Sequence, residues 1–148
     1  MKDGLVADGG HARNPRTRLT RNDQVVLACL EDYGAPMKAY ALLEEVRKDG
    51  INAPMTVYRA LTRLTGQGRV KKIESLNAYY ALPRRDDAGV AGFVICETCE
   101  QVGIHWFSDD DLRALVPGVP ITDASIELKT SCAAALGDGL EERCKAAR

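Results

Sequence analysis

Three stretches of helical period lie between residues 20 and 68, each cut off by glycine or proline, and two short strand-like runs follow them at once. Thr20 is a good N-cap, and Val26, Leu30 and Tyr33 then recur at helical spacing until Gly34 and Pro36 stop the run. A second run sets Leu42, Leu43 and Val46 on one face and Glu44, Glu45, Arg47 and Lys48 on the other, ending at Asp49-Gly50. In a third, which opens behind Pro54, Val57, Leu61 and Leu64 mark the buried stripe, and Gly66 and Gly68 end it. Residues 69–74 and 78–82 then alternate as strands around Ser75-Leu76-Asn77. Three helices and a hairpin predict a winged helix-turn-helix over residues 19–82.

Residues 1–18 lack apolar periodicity and read as a flexible basic arm with Arg13, Arg16 and Arg18. Residues 83–91, with proline, glycine and four charges, read as a hinge. A second unit over 92–148 offers strands at 92–96, 101–107 and 121–130, a short helix at 109–116 with acidic residues at its start, and an Ala-, Glu- and Lys-rich tail expected to be helical. The fold class is therefore α+β. With 148 residues, one domain or two small ones fit, and a large multi-domain enzyme does not.

The net charge of −1 conceals two halves of opposite sign. Residues 1–85 carry 15 Lys and Arg against 9 Asp and Glu, a net of +6, and residues 86–148 carry 5 against 12, a net of −7. A basic first half suits a polyanion, and the acidic second half does not. The third helix can present Thr56, Tyr58, Arg59, Thr62 and Arg63 outward, types that hold base edges or phosphates in a major groove. Lys71 and Lys72 on the hairpin, with Arg16 and Arg18 on the arm, add cations for phosphates. Double-stranded DNA is the expected partner. The competing reading gives Arg59 and Arg63 only to the solvation of an exposed helix.

Cys96-Glu97-Thr98-Cys99 sits where a strand turns back, so two thiolates can face one knuckle, half of a tetrahedral zinc site. Cys132 and Cys144 bring the cysteines of this half to four. Cys29 lies on the apolar side of the first helix and reads as a small buried residue. A redox disulfide is the rival use of the pair, but such pairs open a helix in a thioredoxin-like unit, which this segment does not resemble. Five cysteines, no apolar run long enough to cross a bilayer and no signal-like apolar segment predict a cytoplasmic protein. No acid-base pair, nucleophile triad or phosphate loop is visible, which points away from an enzyme and from any organic cofactor.

The strings Ala53-Pro54-Met55-Thr56-Val57-Tyr58-Arg59-Ala60-Leu61, Ile73-Glu74-Ser75-Leu76-Asn77-Ala78-Tyr79 and Phe93-Val94-Ile95-Cys96-Glu97-Thr98-Cys99 resemble the ferric uptake regulator family, its zinc uptake regulator branch most. The resemblance covers nearly all of residues 19–135. It implies a homodimeric, metal-responsive transcription repressor with an N-terminal winged helix and a C-terminal α/β dimerisation domain, reading a near-palindromic operator. It implies that Tyr58 and Arg59 contact the operator, and that Cys96, Cys99 and Cys132 hold one structural zinc per monomer.

The sequence departs from the family at two places. Cys132 is followed by Ala133, Ala134 and Ala135, so the second C-x-x-C is broken, leaving the fourth place to Cys144, to water, or the site empty. The branch sets His, Cys, His and Glu around the hinge to sense zinc, and the matching positions here hold Lys71, Leu82, Val90 and Ile104. None of the four is a zinc ligand. Only His11 and His105 remain as histidines, and His105 is either structural or joined to a carboxylate of Asp109, Asp110 or Asp111. The expected chain is a regulator with a lost or altered sensory site, its alternative a protein-interaction module that pairs with another regulator.

Overall fold

The computed structural model describes residues 18–85 and 89–131. The arm up to Thr17, part of the hinge, Cys132, Cys144 and the expected tail helix lie outside the described residues.

Helix α1 runs Arg21–Tyr33, and Thr20 caps it as its sequence suggests. The Thr20 hydroxyl accepts from the Asp23 amide at 3.2 Å, while the Asp23 carboxylate accepts from the Thr20 amide at 2.9 Å. Gly34 ends the helix at φ 65°, a left-handed turn that a side chain would resist. Helix α2, Ala39–Val46, tightens into a 3-10 turn at Arg47–Asp49 before Gly50 at φ 87°. Helix α3, Pro54–Gly66, starts with proline in its first turn, where no intrahelical amide bond is lost. Val26, Leu30, Leu42, Val46, Val57, Leu61 and Leu64 close the three helices around one apolar core.

Strands β1 (Val70–Ile73) and β2 (Ala78–Ala81) form the antiparallel wing, with Lys71 opposite Tyr80. Met37, in the turn between α1 and α2, exchanges two backbone hydrogen bonds with Tyr79, of 2.9 and 2.8 Å. The second unit is a three-stranded sheet in the order β4-β3-β5. Strand β3 (Val90–Cys96) pairs antiparallel with β4 (Val102–Phe107) and parallel with β5 (Ile126–Thr130), helix α4 (Asp109–Leu115) making the return. Two boundaries differ from the sequence expectation by more than one residue. Strand β3 starts at Val90, inside the expected hinge, and β5 is shorter than the expected 121–130 because residues 121–125 do not pair with a neighbour.

A second core joins the two units. Ile73 and Leu82 from the wing region are buried together with Ala91, Phe93, Ile95 and Val102 of the sheet, and Tyr80 meets Phe93 edge-on at 6.0 Å. The wing is thus part of the second unit's core as well as of the first unit's fold.

Candidate functional site

Helix α3 buries Val57, Ala60, Leu61 and Leu64, and this fixes which residues look outward. Tyr58 and Arg59 are exposed, Tyr58 by 47%, and Thr56 is half-buried at the helix start. Thr62 turns its hydroxyl back to the Tyr58 carbonyl at 2.9 Å. Arg18 is exposed just before α1, and Arg16 lies outside the described residues.

Arg63 is placed differently from a free DNA contact. Its Nε donates to both Asp23 carboxylate oxygens at 3.0 and 3.1 Å, and its Nη2 donates to Asp23 Oδ1 at 2.7 Å. Asp23 is 1% exposed, whereas the Arg63 side chain is 41% exposed. Burial pushes the Asp23 carboxyl up, but the Arg63 guanidinium and the Thr20 amide and hydroxyl outweigh it and hold the group below the ordinary carboxylate range. The pair locks α3 onto the cap of α1, which sets the angle at which Tyr58 and Arg59 are offered.

The two hairpin lysines also separate. Lys72 pairs with Glu74 at 2.9 Å and keeps its ammonium on the wing surface. Lys71 turns inward, its Nζ donating to the carbonyls of Ala124 at 2.9 Å and Ala91 at 3.3 Å. Burial lowers its pKa, with Asp123 opposing as a nearby negative charge. Lys71 therefore faces the second unit, and the phosphate role expected of it has no support in this geometry. Tyr40 on α2, absent from the sequence expectation, is 71% exposed. Its signal in the sequence is its place off the apolar stripe of Leu42 and Val46.

The cysteine knuckle is built by strand pairing. Cys96 ends β3, its amide donating to the Gln101 carbonyl at 2.9 Å, and the Glu100 amide returns to the Cys96 carbonyl at 2.8 Å, with Glu100 at φ 60°. Cys96 is buried and Cys99 half-buried. The Glu97 amide donates to Thr130 at 2.8 Å, so β5 delivers the chain to this turn two residues before Cys132. Among the described residues no three His, Cys, Asp or Glu groups come together as a metal site. Two thiols at one turn, with a third two residues beyond the paired strand end, fit the soft donor set of zinc. Cys29 packs half-buried against the helical core, where burial raises its thiol pKa, as a structural cysteine requires.

The positions where a sensory site was expected lie around the junction of the two units. Leu82 is buried in the second core with Ile104 packed against that cluster, Val90 opens β3, and Lys71 reaches the Ala91 carbonyl. His105 stacks edge-on with Phe107 at 4.7 Å and lies near enough to Asp111 to lower its pKa, although the Ser108 hydroxyl and amide do most of that.

No family model matches the chain. A zinc uptake regulation protein of Escherichia coli strain K12 is 39% identical over 92 residues, which are 61% of this chain and 53% of that protein. The chain thus spans about half the length of the curated relatives it matches. Among solved structures, holo XcZur is 35% identical with a TM-score of 0.67, covering 81% of this chain and 89% of that one. A zinc uptake regulator complexed with zinc and DNA is 31% identical with a TM-score of 0.68, covering 81% and 84%.

Proposed function

The chain belongs to the ferric uptake regulator family, in its zinc uptake regulator branch, and from that premise we propose that it is a DNA-binding transcription repressor, homodimeric and cytoplasmic. The observation that carries the reading is the outer face of α3, where Tyr58 and Arg59 stand exposed on a helix whose other side is buried and pinned by Asp23 and Arg63. Its counterpart among solved structures, the regulator held with zinc and DNA, supports the choice of partner.

In this reading α3 enters the major groove, Arg59 holds a base edge with two hydrogen bonds, and Tyr58 and Thr56 pack on or bond to the bases beside it. Arg16, Arg18 and Lys72 neutralise phosphates. Two copies related by a two-fold axis read a near-palindrome. Gel shifts on a pool of palindromic operators test the assignment. Binding that Arg59→Ala leaves unchanged would remove α3 from the interface.

Cys96, Cys99 and Cys132 would hold one structural zinc per monomer, with Cys144 available for the fourth place. Bound there, zinc would tie the turn after β3 to the segment that follows β5. The sensory function is lost or altered, because an ammonium and three aliphatic side chains occupy the positions that would need nitrogen, sulfur and carboxylate donors. Elemental analysis before and after mild chelation, paired with operator binding of each form, separates the cases. One retained zinc with chelator-insensitive binding is the expected result. A second, removable zinc that controls DNA affinity would overturn the loss of the sensor.

A further inference from the structure

The segment from Ala124 to Glu127 holds the wing by two contacts that run in opposite directions. Lys71, from β1, gives its ammonium to the carbonyls of Ala124 and Ala91, at 2.9 and 3.3 Å. Glu127, from β5, accepts with its two carboxylate oxygens from the amides of Glu74 and Ser75 in the wing turn, at 2.6 and 3.2 Å. Each contact joins residues more than fifty positions apart except Lys71 to Ala91, which spans twenty. Between them lies the apolar seam of Ile73, Leu82, Ala91 and Phe93.

Each half of this arrangement carries a charge onto uncharged backbone groups, and charge-assisted hydrogen bonds are about twice as strong as neutral ones. The Lys71 ammonium gathers oxygens from two separate segments of the second unit onto a strand of the first. That is the mechanical task of a metal ion at a hinge, here performed by a side chain that cannot dissociate. Glu127 fixes the far end of the same hairpin, so the wing is held at two points and cannot pivot about either.

We propose that Lys71 and Glu127 are positioning residues that clamp the winged helix to the C-terminal sheet in one orientation with no metal ion at the junction. The clamp deepens the reading of this chain as a DNA-binding regulator without a metal sensor, and rests on that reading for its purpose. It makes the orientation of α3 a property of the folded chain, independent of zinc supply.

Amide hydrogen exchange of the full-length protein, followed by NMR at Glu74 and Ser75, tests the clamp directly. In the wild-type protein both amides are expected to exchange slowly, and equally slowly after mild chelation. Glu127→Gln and Lys71→Met should each speed that exchange about tenfold as the charge-assisted contacts of the clamp are weakened, while amides in the middle of α1 keep their protection and report an intact fold. Lys71→Arg, which retains a cationic donor, should restore most of the protection. Chelation that exposes the two amides in the wild-type protein, or variants that leave them unchanged, would overturn the clamp. Operator gel shifts on the same samples separate the two readings. Loss of operator affinity by at least tenfold in the two opened variants supports the positioning role, and unchanged affinity with open amides overturns it. A wild-type chain with protected amides and no affinity for any operator would keep the clamp and refute the regulator.

Discussion

The helical unit finishes its own core, whereas the C-terminal sheet does not. Val26, Leu30, Leu42, Val57 and Leu64 are wholly or almost wholly buried by residues of the same unit, and its one buried charge, among the described residues, is met by an arginine from the next helix but one. Among the described residues the sheet has three strands, borrows Ile73 and Leu82 from the wing region to complete its core, and its unit leaves Leu115, Val116, Val119 and Leu128 exposed. An exposed edge strand with an apolar side chain, such as β5 with Leu128 at 48%, asks for a partner. The contrast assigns the two labours: a self-sufficient head presents a rigid surface, and an incomplete base is completed by the wing and, in the proposed dimer, by a second copy.

The comparison is sharpest where a substitution removes only one side of it. Leu30→Ala, deep in the helical core, should cost about 4 kcal/mol by urea denaturation, near the upper end for a buried leucine. Arg63→Ala leaves the Asp23 carboxylate buried without its partner and should cost about 3 kcal/mol, even though Arg63 is itself partly exposed. Four residues earlier on the same helix, Arg59→Ala should leave stability within about 0.5 kcal/mol and instead lower operator affinity by about 2 kcal/mol, or roughly thirtyfold. If the two arginines traded effects, the distinction between a pinned inner face and a reading outer face would fall.

At the seam, Leu82→Ala should cost about 2 kcal/mol and loosen β3 amides more than those of α1 in hydrogen exchange, since the side chain belongs to the sheet's core. Equal loosening of both would show one core where two are described. The smallest effect is electrostatic. Lys72→Ala should weaken all DNA sequences alike and reduce the salt slope of binding by about one, with no change in the unfolding midpoint.

Acid tests the Asp23–Arg63 pair through its linkage to folding. The Asp23 carboxyl is held below its ordinary range in the folded chain, so its contribution is present in full above the unfolded-state value of about 4 and is lost as pH falls through the lower, folded value. Urea midpoints should therefore drop on acidification in the wild-type protein, and the drop should shrink in Asp23→Asn.

Local chemistry was legible in the sequence, and long-range pairing was not. Thr20, Gly34, Gly50 and Pro54 marked helix ends through backbone rules that act within a few residues, and the apolar stripes of α1 and α3 followed from period alone. The fate of Arg63 depended on Asp23, forty residues before it, and period could say only that the side chain left the apolar stripe. Lys71 and Lys72 are adjacent and chemically identical, yet strand alternation sends one to the surface and one to carbonyls at Ala91 and Ala124. Of the candidate metal centre, the C-x-x-C pair at a strand turn could be read in advance, while Cys132 lies outside the described residues. The hydrogen bond from Glu97 to Thr130 that brings β5 to the knuckle is a matter of sheet register, and register is set by the completed fold.

The paired backbone bonds between Met37 and Tyr79 tie the wing to the turn between α1 and α2. With the contacts of Glu127 to the wing turn, they make a run of hydrogen bonds from β5 through the wing to the helices. In the proposed regulator, a second protomer or other partner that shifted β5 would therefore be expected to act on the outer face of α3 through the wing.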